Sequence, residues 1–258
     1  MPGFPMPEAL RPPWLKLAGV ALALALWQAG AMLANHRMVP DLPAIGAHLL
    51  DDLADPEFRA HVLSTLMHGL LGLAIAFTAA LVAGLAAARH WLVDAAIHPL
   101  VTWCYPIPKL ALYPLVILLL GLGWESRVAQ VALECFFPLF VQCHAGGRAV
   151  ARRMEWLARN AQAGRWHRLR DVILPSALPF VLTGLRVALP VMLIVTTVTE
   201  FIGDSQGLGH VIVRAASYFD TAGVLSVAVV LGALGFAGDR LIVLARARLV
   251  FWERGVEL

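Results

Sequence analysis

The stretch Arg148–Pro175, RAVARRMEWLARNAQAGRWHRLRDVILP, is the one long polar run in a chain otherwise built of apolar blocks, and it carries seven arginines. Apolar segments of membrane-spanning length flank it on both sides, so it has to lie in water between two spans. Basic loops are retained on the cytoplasmic side, and this run therefore sets the orientation expected for everything around it. Within it, Met154, Leu157, Ala158 and Ala161 recur at helical spacing, while Arg152, Arg153, Glu155, Arg159 and Asn160 occupy the other faces. That pattern predicts a short amphipathic helix. Gly164 is its expected end. A second short helix with Trp166, Leu169 and Val172 on one side runs to Leu174-Pro175, where proline should stop it. Two short helices exposed to water make a surface that another protein can grip.

Hydrophobic residues make up 60% of the chain and charged residues 14%, against about half and about a quarter in soluble domains. The chain is expected to be an all-α polytopic membrane protein with about six transmembrane helices. Its net charge of +3 does not point to nucleic acid, because the cationic residues sit in loops where topology requires them. Cys104, Cys135 and Cys143 show neither metal nor redox spacing.

Residues 1–13 form a proline-broken polar lead, and 14–258 read as a single transmembrane domain. The first span is Leu17–Ala34, whose length at about 1.5 Å per residue crosses most of a layer about 30 Å thick. A cleaved signal peptide is the alternative, supported by Ala29-Gly30-Ala31; against it, the apolar stretch continues past that point. Asn35–Arg59 is a polar connector with Pro40, Pro43, Pro56 and several acids, suited to the outer face. His61–Ala88 forms the second span, with Ala76, Ala80, Gly84 and Ala88 four apart, a spacing that lets helix backbones approach closely in lipid. Trp91–Trp124 reads as a helix broken by Pro99, Pro106, Pro108 and Pro114; irregular backbone at membrane depth requires a protein or water neighbour and marks a cavity wall. Glu125-Ser126-Arg127 is the expected outer turn before a fourth span, Val128–Val141. The fifth, Ser176–Gly203, is interrupted by Pro179 and Pro190. Tyr218–Val250 supplies the sixth, with Gly232, Gly235 and Gly238 as a close-packing face.

Candidate residues along a solute path are Tyr105, Lys109, Glu134, Thr196, Thr197 and Glu200. A buried ammonium at Lys109 needs an anion, a carboxylate or water, so a substrate contact, snorkelling to the interface and an ion pair with Glu134 all fit. Glu134 lines the path or pairs with Lys109. The threonine hydroxyls line the path or bond to the preceding helical turn. Basic residues on the side of the arginine run are Arg11, Lys16, Arg89, the seven arginines, Arg240, Arg246, Arg248 and Arg254, against Arg37, Arg59, Arg127 and Arg214 on the other. An even number of spans with both termini in the cytoplasm fits this asymmetry.

Three segments carry a family resemblance. Ala158-Arg159 to Arg165-Trp166 with Leu174-Pro175, then Pro106 to Leu115 followed by Gly121-Leu122-Gly123, and then Pro175 to Ile212 with Leu185-Arg186, Glu200 and Gly207-Leu208-Gly209 resemble the binding-protein-dependent ABC import permeases of the sulfonate, taurine and nitrate branch. The likeness covers about Thr65 to Trp252. In the arginine run the family glycine falls on Gln162, two residues before Gly164, and the family acid on Trp156, one residue after Glu155. The resemblance implies the type I ABC importer permease (MetI-like) fold, with 148–175 as the loop that couples to an ATPase through Glu155, Leu157, Ala158, Arg159, Ala161, Gly164, Leu174 and Pro175. It implies a non-enzymatic pore subunit in the bacterial inner membrane. Two copies would form the path for a small solute such as a sulfonate, taurine, nitrate or a similar anion. A cytoplasmic ABC ATPase would use ATP and Mg, a periplasmic binding protein would deliver the solute, and no cofactor would be bound by this chain.

No Gly-rich loop followed by Lys-Ser/Thr occurs, so the chain does not hold ATP by that route. An ATPase-independent secondary transporter or channel is the alternative; it should show repeated halves or a chain of buried titratable groups. A membrane-embedded enzyme would need a nucleophile–base or metal constellation, and no such spacing is visible.

Overall fold

A computed structural model describes residues 13–34, 38–150, 152–202 and 206–252. The described residues fold into helices α1 (Pro13–Ala34), α2 (Leu42–Ala54), α3 (Pro56–Arg89), α4 (Trp91–Cys104), a 3₁₀ turn (Lys109–Leu112), α5 (Tyr113–Leu120), α6 (Trp124–Arg148), α7 (Arg152–Asn160), α8 (Arg165–Arg168), α9 (Leu174–Thr199), α10 (Leu208–Ser217) and α11 (Thr221–Leu249). Five helical stretches are long and apolar enough to cross a membrane, and α4 with the 3₁₀ turn and α5 passes the same test only as a pair bent by 88° at its break, a broken span or a re-entrant loop. The first of them is Leu17–Ala34, as its sequence indicates.

The centre of the bundle is α3, α6 and α9. Because lipid is as apolar as leucine, helices in it associate through close packing rather than hydrophobic burial, and small residues set how near two backbones come. Ala76, Ala80 and Gly84 of α3 are buried against α6. A β-carbon on Gly84 would lie 2.7 Å from that of Cys143 and 3.1 Å from the Phe140 carbonyl oxygen, and one on Gly72 would lie 2.6 Å from the Val131 β-carbon. The same device joins α6 to α9, where a β-carbon on Gly146 would stand 2.9 Å from Phe180. Leu139, Phe140 and Met192 fill the space between. On α11, Gly235 and Gly238 approach Leu193 and Leu189 of α9, but Gly232 faces open space, so the expected glycine face is only partly used.

Four local expectations are corrected. The connector before the second span is not irregular. Asp41 caps α2 by accepting from the Ala44 amide at 3.0 Å, and Asp55 caps α3 by accepting from Glu57. Pro43 and Pro56 therefore sit in first turns, where proline costs nothing. Glu125-Ser126-Arg127 is the first turn of α6, not a loop; the reversal is made before it, at Gly121 with φ +85°. Pro175 does not end a helix. Leu169–Ile173 is a π-helical turn in which the Leu174 amide bonds to the Leu169 carbonyl, and α8 runs through it into α9. The wider turn moves the carbonyl that a proline ring would strike. Finally, α10 intervenes between the fifth and sixth spans.

Replacing Gly84 by leucine should cost about 1–3 kcal/mol by overpacking, whereas the same change at Gly232, with nothing within 4 Å, should be nearly neutral. Equal unfolding midpoints for the two variants in a mixed-micelle titration would contradict the packing described.

Candidate functional site

Three places join polar chemistry to the bundle. The first is the hairpin at the end where α3 and α6 finish. Here α7 lies with Glu155 paired to Arg89 at the end of α3. Met154, Trp156, Leu157 and Trp166 stand exposed, Trp156 at 72%. Ala158 and Glu155, with Arg89, Arg168 and Val172, line a cleft of about 680 Å³ between the hairpin and α3. The helix stops at Asn160, before Gly164. The left-handed turn residue is Gln162, with φ +54°. A glycine is the easier residue there, which gives a physical reason for the family glycine to align with Gln162. Ala161 is exposed in the turn, Leu174 is the first residue of α9 and Pro175 the second. The side chain of Arg159 lies outside the described residues.

The second place is the break in α4. Prolines at 106 and 108 deprive the chain of two amide donors, and the carbonyls left behind need partners. Lys109 serves two other carbonyls exposed where the helix ends. Its Nζ donates to the Tyr105 carbonyl at 3.2 Å and the Ile107 carbonyl at 3.3 Å, lies 3.7 Å from Glu134 Oε2, and sits 4.4 Å above the Phe137 ring. Gln130, wholly buried on α6, donates to the Lys109 carbonyl at 2.9 Å. Of the roles open to Lys109, the structure places it in the ion pair; the residue is only 8% exposed. Tyr105 is half exposed beside it.

The third place is at the opposite end. Glu200, 1% exposed, accepts from the Thr65 hydroxyl and from the Gly209 amide, both at 2.9 Å. Thr65 in turn accepts from the Leu208 amide, and His61 Nδ1 accepts from the Gly207 amide at 3.0 Å. Glu200 thus ties the start of α10 to α3. Gly207 has φ +101°, a conformation that glycine alone adopts freely. Thr196 and Thr197 donate to the Met192 and Leu193 carbonyls one turn back, both at 2.8 Å. Sequence reading missed His61, Thr65 and Gln130. Their partners lie on other helices, 21 to 146 residues away, and no local pattern marks them. It also missed Arg186 and Asp239, whose side chains bond at 2.5 and 3.2 Å between α9 and α11. They stand beside an apolar cleft of about 670 Å³ that Thr197 also lines.

A bundle of apolar helices, one of them broken at depth, with a helical hairpin standing off one end, is the build of a membrane transport subunit. The chain belongs to the family of binding-protein-dependent transport system inner membrane components, whose sequence model matches residues 76–250. It is 30% identical to the formylaminopyrimidine transport permease protein ThiX of Halalkalibacterium halodurans over 84% of this chain and 87% of that one. To the putative aliphatic sulfonates transport permease protein SsuC of Bacillus subtilis it is 27% identical, over 95% and 90%. To the taurine transport system permease protein TauC of Escherichia coli it is 29% identical, over 79% and 74%. Its fold is similar to a solved structure of the MetNI methionine ABC transporter in inward-facing conformations, with a TM-score of 0.57, 16% identity, and coverage of 70% of this chain and 93% of that chain. The chain is therefore a multi-pass inner-membrane permease of the ABC importer class.

If Lys109 serves the break rather than a solute, Lys109→Met alone should cost about 3 kcal/mol by leaving Glu134 buried and unpaired. The double variant Lys109→Met/Glu134→Leu should regain most of that loss in the same unfolding titration. A double variant as unstable as the sum of the singles would remove the ion pair from the account.

Proposed function

We propose that this chain is the pore-forming subunit of an ATP-driven importer. Two copies enclose the path, a separate cytoplasmic ABC ATPase grips α7 and α8, and a periplasmic binding protein delivers a small solute to the opposite end. The hairpin and both termini lie in the cytoplasm in this reading, supported by the excess of arginine on that side. The chain itself binds no cofactor and catalyses no reaction; ATP and Mg belong to the partner.

The observation that carries the reading is the hairpin's surface. Exposed large apolar side chains on a polar, arginine-rich element mark an interface, and tryptophan is the residue type most often found at the centre of one. Trp156, Leu157, Met154 and Trp166 meet that description. Glu155, Ala158, Arg159, Ala161 and Gly164 complete the gripped segment in this proposal, and Leu174-Pro175 carries it into the membrane. Closure of the ATPase would pull on α7 and α8, and α9, continuous with α8, would tilt as one piece. Alternation of access around a central site is the general logic of such transport.

For the cargo, a small anion such as a sulfonate, taurine or nitrate is supported by the relatives whose names carry aliphatic sulfonates and taurine. Lys109 adds nothing to it, since Glu134 neutralises it. The relative named for formylaminopyrimidine transport favours a heterocycle.

Exchanging Trp156 and Leu157 together for alanine should weaken ATPase co-purification by about 30-fold or more, the size expected of an interface centre, while the variant still inserts in the membrane. Substrate-stimulated ATP hydrolysis by the reconstituted complex, with candidate binding proteins added in turn, should fall with it. Full stimulation in the double variant would place the grip elsewhere.

A further inference from the structure

A second cavity lies on the seam of α4 and α6, immediately before the break, and has a volume of about 240 Å³. Its floor is Val101, Phe140 and His144, each under a tenth exposed, and its open rim is His98, Thr102, Tyr105 and Val141. The floor is aromatic, and the His98 ring on the rim is tilted by 44° against it. The His144 ring lies parallel to Phe140, at 7° and 5.9 Å between centroids, and the His98 ring stands 5.3 Å from His144.

The polar groups of this cavity divide into engaged and open. His144 Nε2 is 2.9 Å from Asp94 Oδ1, and the other oxygen of Asp94 accepts from Arg148. Thr102 donates to the His98 carbonyl at 2.8 Å, which leaves its oxygen lone pairs open. Neither ring nitrogen of His98 nor the Tyr105 hydroxyl has a hydrogen-bond partner among the described residues. Along α4, His98 and Tyr105 lie roughly 10 and 20 Å from Trp91 at helical rise, on a segment apolar enough to enter a membrane together with α5. Polar groups without partners in a membrane are costly, and a discontinuous helix is where transporters commonly hold their solute.

The charge balance selects the ligand. Asp94 and Arg148 offset each other, Lys109 is held by Glu134 and by two carbonyls, and the carbonyl end of α4 leans negative. Nothing uncompensated and positive lines the cavity. The volume lies below the about 300–1,000 Å³ of sites for drug-sized ligands, so it admits one ring rather than a fused system.

We infer that this cavity is a transit subsite for a flat, uncharged, single-ring nitrogen heterocycle, packed against the His144–Phe140 floor and hydrogen-bonded by His98 and Tyr105 on the rim. The inference rests on the permease reading and names its cargo class.

The test is saturation-transfer NMR on the full chain in phosphatidylcholine nanodiscs, with 4-amino-2-methylpyrimidine and taurine as probes and empty nanodiscs as the baseline. Transfer to the pyrimidine ring protons is expected above baseline, and at least fivefold weaker in Val141→Trp, which fills the cavity from an exposed position, and in His98→Leu. Ile194→Trp, in the α9–α11 cleft, should leave it unchanged, and taurine should show none. Taurine transfer that Val141→Trp abolishes would overturn the inference in favour of an anion site. Pyrimidine transfer indifferent to both cavity variants, or absent from the unaltered chain, would overturn it outright. Because the measurement involves neither ATP nor a partner, those failures are separate from a failure of ATPase stimulation in the reconstituted complex.

Discussion

A bilayer core offers no water to hydrogen-bond a stray amide or carbonyl, and this structure is arranged around that constraint. Two interruptions of helix are repaired by side chains. At the α4 break the repair is Lys109 on the Tyr105 and Ile107 carbonyls, with Gln130 on the carbonyl of Lys109 itself. Before α10 it is Glu200, Thr65 and His61 on the Gly209, Leu208 and Gly207 amides. Both repairs consume residues whose charge or polarity would otherwise mark them as solute ligands. From Trp166 to Thr199 the helix runs on through Pro175, Pro179 and Pro190 rather than being interrupted by them, and at Pro175 the π turn carries helical bonding past the ring.

That continuity decides how the hairpin relates to the bundle. All three central helices are joined to it, α9 by unbroken helix, α3 by the Arg89–Glu155 pair and α6 by the short chain link from Arg148 to Arg152. Between the other two, α6 is also locked by glycine-mediated approaches at Gly72, Gly84 and Gly146. Packing at that distance does not deform gradually, since protein interiors have little free volume to absorb strain. In the proposed coupling, displacement of α7 and α8 would be passed on as a movement of the core as a body.

Much of this was legible in the sequence. The spans, the small-residue stripe of α3 and the break in α4 follow from hydropathy, four-residue spacing and proline, all of which are local. What escaped was of two kinds. Prolines read as part of a polar connector, or as a stop at Pro175, stand in the first turns of helices. Pro43 and Pro56 follow capping aspartates, and Pro175 follows a π turn, a geometry that no residue pattern announces. The second kind was contact between distant residues: Lys109 has three possible partners in the sequence, and only the fold shows Glu134 within 3.7 Å. The same holds for Thr65, which completes the Glu200 knot from 135 positions away. Gln162 was a departure from the family motif on paper and is a left-handed residue in space.

The cargo question and the coupling question are separable because they lie at different depths of the bundle, one on the α4–α6 seam and the other on the hairpin. The proposed coupling requires α8 and α9 to act as one rod. Spin labels at Trp166 and Ile194, in the complex reconstituted with its ATPase, measure this directly by pulsed electron resonance. The account predicts that the distance between these two positions within one chain stays constant when ATP is bound, while the distance between the Trp166 positions of two copies shortens. A Trp166–Ile194 distance that changes on ATP binding, with the two Trp166 positions unmoved, would mean that the helix folds at the π turn and that force does not pass along it.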